Sequence, residues 1–183
     1  CEFLGSNWYA VLGTLGLAFL AVCHIVYAFI LTAQNRRARG DERYAVTDRR
    51  PEVSWASQNM LVLGLIILIG LFLHLYNFWG HMMFAELAGV SVAHDPADGF
   101  AWIQDTFANP VFSILYLVWL CAIWFHLSHG FWSAMQTLGF SGKIWLKRWQ
   151  MIGIVYVTVL MGVFAFLILS FWLGFAPSYS SAL

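Results

Sequence analysis

Long apolar runs separated by short polar segments set the pattern of this chain. A helix crosses the roughly 30 Å hydrocarbon layer of a bilayer with about 20 mainly apolar residues. Four runs meet that length, at about residues 8–33, 55–78, 110–138 and 151–175, and none contains Asp, Glu, Lys or Arg. Within each, apolar residues follow one another without the alternation that a membrane β-barrel strand would show. The expected fold class is therefore all-α: a transmembrane helical bundle with four spans, forming a single domain over residues 1–183. Pro110 opens the third run, where a helix tolerates proline because first-turn N–H groups lack intrahelical partners. The stretch 79–109 is expected to be a long connection. Within it HMMFAELAGV suits a short interfacial helix and HDPADG reads as a turn.

Composition agrees with the pattern. The chain of 183 residues is 61% hydrophobic and 10% charged, whereas a soluble domain carries about a quarter charged residues. So much apolar surface has no place to hide in a water-soluble protein of this size. The formal net charge is zero, so nothing argues for nucleic acid as a partner. Aromatic residues make up 18%, which suits interfacial girdles and a flat aromatic cofactor. Cys1, Cys23 and Cys121 form no CxxC or other metal spacing and read as small buried hydrophobes. The sequence starts at Cys1 with no initiator Met or basic leader, and is expected to belong to a longer protein.

The connections sort by charge. Residues 34–54 hold Arg36, Arg37, Arg39, Arg43, Arg49 and Arg50, and residues 139–150 hold Lys143, Lys147 and Arg148; these are all nine Lys and Arg residues of the chain. The 79–109 connection holds Glu86, Asp95, Asp98 and Asp105 and no Lys or Arg, and Glu2 precedes the first run. The positive-inside rule then puts both basic loops in the cytoplasm and the acidic connection outside. The expected location is a membrane, with both basic loops on its cytoplasmic side. Trp8, Trp55, Trp79, Trp145 and Trp149 fall near the expected interfaces.

Four of the six histidines, His24, His74, His126 and His129, lie inside the apolar runs. Ionisable residues in a span point to function, although a lone histidine can also serve as an interhelical hydrogen-bonding group. Helices rise about 1.5 Å per residue. His24 stands ten residues before Gln34 and His126 thirteen before Gly139, which places them about 15 and 20 Å from the cytoplasmic face. His74 stands nineteen residues past Trp55, about 28 Å in. Two imidazoles at one depth on facing helices can bind opposite faces of one haem iron. His24 and His126 meet that requirement. His74 is either structural or has its partner on a helix outside this record. His129, one turn beyond His126, suits a hydrogen bond to a propionate or a neighbouring helix, or could replace His126 as ligand. Gly13, Gly16, Gly64, Gly70 and Gly130 could let a macrocycle lie close to backbone, although glycine also serves helix packing. His81 and His94 read as interfacial or loop histidines.

The segments HIVYAFILTAQNRRARG, WASQNMLVLG with HLYNFW, and FHLSHGFWSAMQTLG, in that order and spacing, resemble the di-haem cytochrome b membrane anchor of bacterial succinate dehydrogenase and fumarate reductase. The resemblance extends from Cys1 to about Phe175. It implies five membrane helices around two b haems, with His24 and His126 binding the proximal haem near the cytoplasm. It makes His74 one ligand of the distal haem and matches Gly64 to a glycine of the same helix. The helix that would supply the second distal ligand precedes the first run and is missing here. The resemblance further implies electron transfer between a membrane quinone, menaquinone being the expected type, and the flavoprotein and iron–sulfur subunits of the complex. The dicarboxylate site would lie on those subunits, because this chain has no dinucleotide fingerprint and no cluster-binding cysteines. The nearest alternative is the cytochrome b anchor of another respiratory enzyme, of nitrate reductase or hydrogenase type. A haem-free transporter or scaffold with hydrogen-bonded histidines is a further one.

Overall fold

The computed structural model describes residues 8–40 and 54–176. Among these the fold is all-α, with no strand. Four helices are long and apolar enough to cross a membrane: Trp8–Arg39, Met60–Ala88, Pro110–Thr137 and Lys143–Trp172. The chain divides into two units, one ending at Ser54 and the other starting at Trp55, and each is considered in turn.

The described part of the first unit is a single helix, α1 (Trp8–Arg39), of 32 residues. At about 1.5 Å per residue it is about 48 Å long, longer than the hydrocarbon layer. Apart from His24, its central turns are apolar on every side, as suits a helix that spans a membrane. The Thr32 hydroxyl donates to the Ala28 carbonyl at 2.8 Å, so even this polar group is satisfied within the helix. Arg36, Arg37 and Arg39 occupy the last turn, where cations complement the helix dipole. Gly40 then stops the helix in the left-handed region at φ 67°. The helix thus runs six residues past the expected edge at residue 33, because Gln and Arg are good helix formers. Arg43, Arg49 and Arg50 of the first basic loop lie outside the described residues.

In the second unit a short helix, α2 (Trp55–Gln58), leads through a turn at Asn59 into α3 (Met60–His74). The helical path does not stop at residue 78. It continues from His74 as a π-helical segment, Leu75–Phe84, then as α4 (Ala85–Ala88), and ends at Gly89 with φ 64°. HMMFAELAGV is therefore not a separate interfacial helix, because most of it prolongs the span. HDPADG is a turn: the Asp95 carboxylate accepts from Ala97 N at 2.8 Å, and Asp98 caps the next helix by accepting from Ala101 N at 3.1 Å. That helix, α5 (Gly99–Ala108), occupies the second half of what read as a long loop. Asn109 caps α6 (Pro110–Thr137) by accepting from Val111 N at 2.9 Å. After Gly139, α7 (Lys143–Trp172) completes the unit, starting eight residues before the expected span.

Close helix packing here depends on glycine, as it does where lipid is as apolar as the side chains. A Cβ at Gly70 on α3 would overlap the Trp119 indole of α6. The indole comes close against α3, and its Nε1–H donates to the Ile67 carbonyl at 3.0 Å. The residue read as possible room for a macrocycle thus accommodates one of the protein's own rings. A Cβ at Gly153 on α7 would come within 2.7 Å of Phe131 Cδ1 on α6. One buried cluster gathers Phe107, Tyr116, Leu120 and Ile168; a second gathers Ala56, Leu63 and Ala122.

Candidate functional site

The α3–α6 pair carries histidines at two levels. At the first, Gly64 of α3 faces His126 of α6, and a Cβ added to the glycine would stand 3.8 Å from His126 Cε1. At the second, His74 lies among Trp119, Phe78 and Tyr116, with ring centroids 5.6, 5.1 and 6.2 Å away. Ten residues of one helix separate Gly64 from His74, about 15 Å along its axis. The two imidazoles are thus held at different depths by helix geometry alone.

His74 lines a cavity of about 370 Å³ whose other walls are Phe78, Ile103, Phe107, Tyr116, Trp119, Leu120, Ile123, Met161, Phe164, Leu167 and Ile168. This volume falls within the ~300–1,000 Å³ of ordinary small-molecule pockets, which are mainly apolar with a few placed polar groups. The polar groups here are the imidazole and the Tyr116 hydroxyl. His74 Nδ1 is buried and makes no hydrogen bond, a situation that costs about 1–3 kcal/mol for a polar atom sealed from water. The Tyr116 hydroxyl accepts from Asn77 Nδ2 at 3.3 Å. Asn77 and Ser113 are the buried polar residues among those described. Ser113 is spent internally, donating to the Phe107 carbonyl at 2.9 Å.

The other expected site residues are distributed as follows. His24 lies near the middle of α1, with Gly16 eight residues earlier on the same helix. His126 Nδ1 is shielded from solvent. His129 follows one turn later on α6, its ring 4.8 Å from that of Trp132. His81 and His94 are more than loop histidines. His81 stacks on Trp102 at 5.1 Å while its Nδ1 meets the Tyr76 carbonyl at 2.7 Å. His94 meets the edge of the same indole at 5.0 Å and stands 3.6 Å from the Asp105 carboxylate. The two imidazoles therefore clasp one indole and tie the π-helical segment, the turn and α5 together.

Asn77 and Tyr116 did not stand out in the sequence. Asn77 carries a usable signal, an amide three residues after His74 and so on nearly the same helix face. Tyr116 carries none, since only the packing of α3 on α6 brings its hydroxyl to Asn77. Comparison with protein families, curated proteins and solved structures finds no match to this chain.

Proposed function

We propose that this chain is the haem b-carrying membrane anchor of a succinate dehydrogenase or fumarate reductase complex. It would pass electrons between a membrane quinone and an iron–sulfur and flavoprotein pair on the cytoplasmic face. The observation that carries this reading is the two-level arrangement on one helix pair. His126 lies opposite a glycine, and His74 stands about 15 Å further along at a cavity walled by aromatic rings.

The residues suit b haem. His126, with His24, would hold the proximal group, and His74 would supply one ligand to the distal group. Haem b provides a one-electron carrier at each level when bound. Gly64 presents no side chain of its own to His126, and a Cβ there would stand 3.8 Å from Cε1 of the ring. Phe78, Phe107 and Trp119 give the His74 cavity an apolar wall, and a low-dielectric surrounding strengthens the electrostatic interactions inside it. Arg36, Arg37, Arg39, Lys143, Lys147 and Arg148 would mark the cytoplasmic side, where the soluble subunits dock, and a bacterial cytoplasmic membrane is the proposed location.

A reduced-minus-oxidised visible spectrum of the protein purified from its membrane tests the reading, together with identification of the subunits that co-purify. Low-spin bis-histidine haem should give a sharp α-band, accompanied by a flavoprotein and an iron–sulfur protein. A spectrum without haem would remove the proposal. Co-purification of other soluble subunits would redirect it to another respiratory enzyme.

A further inference from the structure

We propose that Tyr116 is the hydrogen-bond donor that anchors the ligand of the His74 cavity, and that Asn77 holds it in position. The ligand class this selects is a flat conjugated ring with an oxygen acceptor on its edge. The inference rests on the reading that His74 faces such a ring.

Three observations carry it. Tyr116 is 4% exposed and forms part of the cavity wall. Asn77 Nδ2 donates to its oxygen at 3.3 Å, so the phenolic proton remains available for an acceptor. A phenol oriented by a second side chain is a preorganised donor, and in a site of low dielectric such a bond counts for more than in water. The third observation is the backbone that presents Asn77. The π-helical segment begins at Leu75, directly after His74, and Asn77 is its buried residue. π-Helical turns are rare and occur frequently at functional sites. Here the π-helical turn carries an amide that is 6% exposed onto the Tyr116 hydroxyl. Asn77 also borders a second, more polar cavity with Tyr76, His81 and Asp105. The Asn77–Tyr116 bond therefore lies between an apolar chamber and a polar one. A ligand anchored there would keep its ring on the aromatic side and its oxygen toward the polar side.

Two sources share that chemistry, a haem carboxylate and a quinone carbonyl, and the experiment separates them. The intact complex is prepared with Tyr116→Phe, Asn77→Leu and Ser113→Ala, the last removing a neighbouring buried hydroxyl that is already bonded within the protein. Haem content, the midpoint potential of each haem and the binding of a soluble naphthoquinone, followed by tryptophan fluorescence, are measured on each. If the acceptor is a haem carboxylate, Tyr116→Phe should keep the haem and lower one midpoint by the equivalent of a tenfold change, about 59 mV for one electron. If the acceptor is a quinone carbonyl, potentials should stay fixed and naphthoquinone affinity should fall about tenfold, the loss of one hydrogen bond of ~1.4 kcal/mol. Asn77→Leu should shift the same quantity in the same direction, and Ser113→Ala should leave both unchanged. Unchanged potentials and unchanged naphthoquinone affinity in Tyr116→Phe would overturn the proposal, as would equal shifts in Ser113→Ala. Should the wild-type complex hold no haem, the proposed function fails while the naphthoquinone measurement still decides the role of Tyr116.

Discussion

A Cβ built on Gly64 stands 3.8 Å from Cε1 of His126, an ordinary van der Waals contact. The space between α3 and α6 at this level therefore admits a methyl group in ordinary contact, whereas a bulky side chain at Gly64 would press on the imidazole. Gly64→Ala should keep the haem assigned to His126 and cost little stability. Gly64→Leu should displace the ring and lose that haem selectively, leaving the one assigned to His74. Haem per polypeptide, measured on both variants after reconstitution into the same detergent, checks this. Equal haem content in Gly64→Leu and wild type would contradict it.

Gly70 behaves differently, because the Trp119 indole already occupies the place of its missing side chain. We expect Gly70→Ala to destabilise the second unit by about 1–3 kcal/mol through overpacking. Trp119→Phe should cost about 0.5–1.5 kcal/mol through loss of the N–H bond to the Ile67 carbonyl. Unfolding in mixed micelles titrated with SDS measures both. If Gly70→Ala unfolds like wild type, the close approach of ring to backbone is wrong.

The four long helices were legible because twenty apolar residues in sequence leave a chain few alternatives to a membrane helix. Their ends were less so. Residues 79–88 mix Gly80, His81 and Glu86 with aromatic and Met side chains, a mixture that reads as a connection, yet the helix continues through them, π-helical as far as Phe84 and α-helical from Ala85 to Ala88. A shift from i→i−4 to i→i−5 bonding leaves no mark on composition. Gly89 and Asp98, by contrast, act as the helix stop and helix cap that their residue types suggest. The level of each histidine could be counted along the helices, and the separation of His74 from the level of His126 follows from that count. Which side chains surround His74 could not be counted, since Trp119 and Tyr116 reach it from another helix at a register set by packing around Gly70.

Charge distribution yields a topological expectation. Arg36–Arg39 and Lys143–Arg148 should face the cytoplasm, and the turn at Asp95–Asp98 should face outward. Asp98 caps α5 through its side chain, so a reporter cysteine is better placed at Ala97. Ala97→Cys, in a background with Cys1, Cys23 and Cys121 replaced by Ser, should react with an impermeant maleimide added to intact cells. Reaction only after the cells are opened would reverse the topology and place the docking face on the other side.

The pyridine haemochrome assay distinguishes haem at two levels from haem at one or none. Protein is purified from membranes as wild type, His74→Ala, His126→Ala and His129→Ala, and haem is counted per polypeptide. We expect two b haems in the wild type, one in His74→Ala, one in His126→Ala and two in His129→Ala. Absence of haem from the folded wild-type protein would contradict the account, as would a His74→Ala, His126→Ala double variant that still carries two.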